Sequence, residues 1–146
     1  MRAIKEATGN LSRKDSNYLS LAKKVAQTSD MRNMHGAVVV KGNRVLSVGI
    51  NKFKNSPQSI GAENVPDHAS THAEADAIAR AGDPNGATIY VARMNKQGVE
   101  RMSRPCDVCY AAIRKAGINR IIFTDGKLWQ ITRSRYYSCS KRLPIL

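Results

Sequence analysis

Apolar positions along the chain switch between helical and strand periods. Between Ser12 and Ser29, Tyr18, Leu21, Ala22, Val25 and Ala26 recur at helical spacing while Lys23 and Lys24 point away, and Ser12 or Ser16 suits the cap. Gly36 to Ile50 reads as a hairpin: Ala37-Val38-Val39-Val40, a turn over Lys41-Gly42-Asn43-Arg44, then Val45 to Ile50. Asn51 to Thr71 carries Pro57, Gly61 and Pro66 and has no period, so it is expected to be a long loop. The run from His72 to Gly82 predicts a short Ala-rich helix closed by that glycine, and Asp83-Pro84-Asn85-Gly86 is turn chemistry. Thr88–Met94 predicts a strand, Asn95–Arg104 a polar loop, Cys106–Ala116 a second short helix behind Pro105, and Ile118–Thr124 another strand.

Asp125-Gly126 favours a two-residue turn, which sends Lys127–Thr132 back as an antiparallel fifth strand. Residues 1–12 are expected to form a loose arm and residues 133–146 a basic, aromatic tail. The element order predicts a single α/β domain over residues 1–146. Its mixed five-stranded sheet carries helices on both faces, and its last two strands form an antiparallel hairpin.

Composition adds constraints. At 146 residues, one domain buries roughly 70% of its unfolded surface and needs no disulfide scaffold. No apolar run is long enough for a membrane span or a secretory leader, so no membrane partner is expected. Three cysteines, two of them three residues apart, fit a reducing compartment and a metal or redox pair; the expected location is the cytoplasm, or that of a host. The formal charge of +13 favours a polyanion or a nucleotide without choosing between them.

Candidate chemistry lies in His72, Glu74, Cys106 and Cys109. Zinc favours imidazole and thiolate, and a catalytic zinc keeps three protein ligands with one open position. Cys106 and Cys109 share a face in the first turn of a predicted helix, and His72 opens another. Helix N-termini favour thiolates there, and Glu74 is placed to move protons. A structural zinc site or a redox Cys pair would use the same Cys spacing. His68 and His35 read more simply as a loop residue and a sheet-edge residue, Trp129 as packing under the fifth strand, and Cys139 as a free thiol.

At these residues the chain resembles the zinc-dependent cytidine and deoxycytidylate deaminases, whose signature is H-x-E followed by P-C-x-x-C. Here it stands as His72-Ala73-Glu74 and Pro105-Cys106-Asp107-Val108-Cys109, within a similarity running from about Tyr18 to Asp125. The resemblance implies a three-layer α/β/α cytidine deaminase-like fold. It also implies zinc bound by His72, Cys106 and Cys109, with Glu74 as the catalytic proton carrier. The expected substrate contacts are Asn51, the Ala73 backbone, Ser103 and Tyr110. The implied reaction replaces the exocyclic amine of cytosine, in a nucleoside or nucleotide, with oxygen; Lys52 and Lys54 are candidates to meet a phosphate. Many relatives assemble, so a homo-oligomer is among the expected partners. The family's common Glu-Pro-Cys is Arg104-Pro105-Cys106 here, behind Ser103, which is more like polynucleotide deaminases. Single-stranded nucleic acid, met by the basic surface and tail, is therefore the alternative substrate. A non-catalytic zinc-stabilised nucleic-acid-binding module is a further alternative, which has no need of Glu74.

Overall fold

The computed structural model describes residues 5–7, 11–53 and 70–126. Its elements are β1 (Lys5–Ala7), α1 (Arg13–Ala26), β2 (Met34–Lys41), β3 (Arg44–Ile50), β4 (Lys52–Phe53), β5 (Ser70–Thr71), α2 (Ala73–Arg80), β6 (Thr88–Met94), β7 (Glu100–Arg101), α3 (Asp107–Lys115) and β8 (Arg120–Phe123). The hydroxyl of Ser12 accepts from the Asp15 backbone N–H at 3.1 Å and starts α1. The hairpin falls on β2 and β3, with Gly42-Asn43 as its turn and a register shift between Val39 and Val40.

Among the described residues the main sheet runs β1-β8-β6-β2-β3, with β7 on the end of β6. β6 is antiparallel to β2 and parallel to β8, because the chain between β6 and β8 passes through α3. The central strands β2 and β6 are buried almost throughout, as helices on both faces require. Alternate side chains feed two cores. Val38, Val40, Tyr90, Ala92 and Ile122 pack against Leu19 and Ala22 of α1. Val39, Ile89, Val91, Ile121 and Phe123 pack against Ala73 and Ala77 of α2 and Tyr110 and Ile113 of α3. The result is the predicted three-layer α/β/α arrangement with a mixed sheet. On the α1 side, Asp15 accepts from the Tyr90 hydroxyl at 2.5 Å and from Arg120 at 2.6 Å, tying the helix to β6 and β8.

Three expectations need correction. The arm is not loose throughout: Lys5–Ala7 pairs in parallel with Arg120–Ile122, because the outer edge of β8 offers unpaired backbone groups there. β1 is thus the fifth strand on the sheet path among the described residues, while the expected return strand 127–132 and the tail lie outside them. The loop 51–71 pairs its own ends, Lys52 with Thr71 and Phe53 with Ser70, which delivers the chain directly to His72. The polar loop 95–104 contains β7, paired to Arg93 and Met94 beyond the point where β8 stops.

Two glycines let helices approach the sheet closely. A side chain at Gly36 would collide with the Ala22 carbonyl of α1, and one at Gly49 would lie 2.5 Å from both the Ala73 carbonyl and the Ala77 amide. Gly49 therefore sets the depth of α2, the helix that follows His72 and carries Glu74. Gly49→Ala is expected to lower stability by about 1–3 kcal/mol and to reduce zinc retention by displacing α2. Urea unfolding read together with metal content checks both.

Candidate active site

His72 and Cys106 are the N-cap residues of α2 and α3, and neither side chain caps its own helix. Helices ordinarily begin with a hydroxyl or carboxylate that satisfies a free N–H. Here both N-cap side chains turn toward one another instead. His72 Nδ1 lies 3.2 Å from Cys109 Sγ and 3.7 Å from Cys106 Sγ, and all three ligand atoms fall within 4.8 Å of one another. A tetrahedral zinc with its usual bond lengths separates an imidazole nitrogen from a thiolate by roughly 3.5 Å. The donor set suits zinc in type, number and spacing.

The electrostatics point the same way. Cys109 is buried, and desolvation, then the nearby Glu74 and Cys106, pushes its thiol well above the ordinary thiol range. Glu74 is also buried, and desolvation raises its carboxyl despite its own backbone N–H and the proximity of His72. A thiol and a carboxyl that resist ionisation in one spot, Cys109 and Glu74, form a site deficient in positive charge. A divalent cation reverses that logic and deprotonates a coordinating thiol. The N-terminal dipoles of α2 and α3 add partial positive charge.

Beside this cluster is a cavity of about 550 Å³, within the usual range for a small-molecule site. His72, Glu74 and Cys106 line it, Met31, Ala73 and Met102 give it apolar surface, and Arg32, Arg93 and Arg104 make its wall basic. His35 also faces it; burial, then Arg93, holds its imidazole down at about 4, so it is neutral at pH 7.

The substrate contacts expected from sequence separate into groups. Ala73 and Asn51 line the cavity. The Asn51 amide already accepts from the His35 backbone N–H at 2.8 Å and donates to the Asn33 carbonyl at 2.6 Å, which fixes the mouth of the cavity. Ser103 also lines it, but its hydroxyl lies 2.8 Å from the Val91 carbonyl and accepts from the Thr124 backbone N–H at 2.9 Å. Ser103 thereby anchors the loop leading to Cys106. Tyr110 is in the core, with the Arg104 guanidinium 5.8 Å from its ring centroid. Lys52 engages Asp76 at 3.4 Å. His68, Lys54, Trp129 and Cys139 lie outside the described residues.

Sequence reasoning missed Arg32 and Arg93. Arg93 had a signal: it is the one charge in the strand run TIYVARM, near the end that opens at the cavity. Arg32 had none, since it precedes β2 in a short segment without periodicity.

Cys106→Ser and Cys109→Ser are each expected to reduce bound zinc from one per chain to well below half under mild dialysis. Elemental analysis checks this. Full retention by both variants would place the metal elsewhere.

Residues 12–125, most of the chain, match the family model described as the cytidine and deoxycytidylate deaminase zinc-binding region. Comparison with curated proteins found no match. Among solved structures, the chain is similar to the dCMP deaminase of cyanophage S-TIM5 in complex with dCMP and dUMP. That likeness has a TM-score of 0.60 at 17% identity and covers 92% of this chain and 95% of the other. The apo form of the same phage protein gives 0.58 at 19% identity, over 80% and 88% of the two chains. These likenesses concern the fold; the family model covers the motif-bearing region. No helix among the described residues is long and apolar enough to cross a membrane. With its ligand-spaced His and Cys side chains at two helix starts, the chain belongs to the cytidine and deoxycytidylate deaminase zinc-binding family.

Proposed function

We propose that this protein hydrolyses the exocyclic amine of cytosine in a nucleotide of the deoxycytidylate type, giving the uracil product and ammonia. One observation carries the reading: a buried carboxyl, Glu74, adjoins a three-donor zinc-type cluster at a cavity whose wall is basic. His72, Cys106 and Cys109 would hold zinc. When bound, the metal supplies a Lewis-acid centre that lowers the pKa of water from 15.7 toward about 7.

The chain's own residues account for the rest. Glu74 accepts a proton from the attacking water and returns it to the ring nitrogen next to the reacting carbon. It then takes the proton left on the added hydroxyl and delivers it to the amine, so the C–N bond breaks, the carbonyl forms and ammonia leaves. Its burial suits this work, since a desolvated carboxyl releases a proton less readily than a free one. The Ala73 backbone, at the start of α2 and on the cavity, would hold the base edge, and Asn51 would hold the cavity mouth in shape. Arg32 and Arg93 supply positive charge for a 5′-phosphate. Arg93 keeps a buried Nε without a partner among the described residues. The phage protein of similar fold is described with dCMP and dUMP, which agrees with a nucleotide of this size.

A second reading, deamination of cytosine in single-stranded DNA or RNA, draws on the +13 charge and the same arginines. Incubation of zinc-loaded protein with dCMP, CMP, deoxycytidine and a cytosine-containing oligonucleotide separates the two. Conversion of dCMP is expected; turnover of the oligonucleotide without any monomer would overturn the nucleotide reading. Nucleic-acid binding without turnover of any of them would support a non-catalytic module. Glu74→Gln is expected to retain zinc and lose about 10²- to 10⁴-fold in kcat, measured by uracil formation and elemental analysis on the same sample.

A further inference from the structure

We infer that Arg104 is a specificity-determining residue of the cavity, held in place by Glu6 of β1 so that its guanidinium donates to an oxygen of the substrate. The inference rests on the reading of the cavity as the substrate site. Glu6 sits in the middle of the short edge strand, opposite Ile121, and is fully buried. A carboxylate taken that far from water is costly unless a cation meets it. Arg104 does so, with Nε 3.1 Å from Glu6 Oε1.

That ion pair uses one edge of the arginine. Tyr110 lies under its guanidinium at 5.8 Å from the ring centroid, a distance at which cation and ring attract. Glu6 and Tyr110 thus restrict the position of a side chain that is ordinarily flexible. The bond to Glu6 is the only side-chain hydrogen bond Arg104 makes among the described residues, and its Nη2, itself buried, has no partner there, as Glu6 Oε2 has none. The residue lines the cavity together with Glu74 and Cys106, and stands two positions before that cysteine.

A purely structural ion pair would tie β1 to the loop before α3 and need no exposure to a cavity. Arg104 instead keeps about a quarter of its side chain accessible. A planar, always-charged fork fixed on one edge is suited to an oxygen acceptor, either a base carbonyl or a phosphate. Through Arg104, the N-terminal strand belongs to the binding machinery. Glu6 is a positioning residue that acts through the arginine.

The test compares Arg104→Ala, Arg104→Lys, Glu6→Gln and the Glu6→Gln/Arg104→Ala double variant, each checked for zinc content and Tm. Kinetics are measured with dCMP and deoxycytidine. Arg104→Ala is expected to raise KM roughly 10- to 100-fold, with kcat changed far less, the signature of lost ground-state binding. Arg104→Lys should restore only part of this, because a lysine lacks the fork. Glu6→Gln should raise KM in the same direction by less, and the double variant should match Arg104→Ala alone.

An effect confined to dCMP assigns the phosphate as acceptor; an effect on both substrates assigns the base or sugar. Unchanged KM for both substrates in an Arg104→Ala protein that keeps its zinc and Tm overturns the inference and leaves the deaminase reading standing. Should the parent convert neither substrate, the nucleotide reading fails, and dUMP binding by calorimetry decides this one. Equal affinity of parent and Arg104→Ala, or no binding by either, overturns it.

Discussion

The site depends on a thiol and a carboxyl, Cys109 and Glu74, buried together where charge is disfavoured. Two thiols, an imidazole nitrogen and a buried carboxyl meet at the starts of two helices. Burial pushes Cys109 and Glu74 toward their neutral forms, and a divalent cation among them would favour the ionised forms instead. Other features hold the groups in register. Gly49 admits α2 closely to β3, β4 and β5 close the chain just before His72, and the Ser103–Thr124 hydrogen bonds fix the loop before Cys106. The absence of side-chain caps on α2 and α3 is consistent with this, because the residues that would cap them face the cluster instead.

The parts legible from sequence are those set by short-range rules. His72 with Glu74, and Cys106 with Cys109, are separated by two and three positions, so local geometry alone brings each pair together. Helix α1, the hairpin and the two short helices follow from periodicity, Gly and Pro. That the pairs meet each other is a long-range fact, supplied by the strand order β8-β6-β2-β3 and by α2 packing against α3. What was not legible depends on such pairing throughout. The three-residue strand β1 has no period to detect and exists because β8 has an edge to fill. Arg32, Arg93 and Arg104 come from three separate segments and form one basic wall only in the folded chain. Tyr110 was ambiguous because the same helix meets both the core and the cluster; its ring goes to the core.

The chemistry separates into a general part and a specific part. The cluster with Glu74 is the shared signature of the family and supports deamination without naming the molecule deaminated. The cavity wall differs in kind: its arginines are anchored by Asn33 and by Glu6, and selection through them is our proposal. A basic wall and a net charge of +13 are different quantities: the first acts within hydrogen-bond reach, while the second acts over a Debye length and weakens with salt.

X-ray absorption at the zinc edge of the purified protein tests the central claim most directly, because it reports which atoms surround the metal. One zinc per chain is expected, with two sulfur neighbours at about 2.3 Å and two nitrogen or oxygen neighbours at about 2.0–2.1 Å. A first shell built from four protein sulfur or imidazole ligands, or a folded protein that binds no divalent metal, would contradict it.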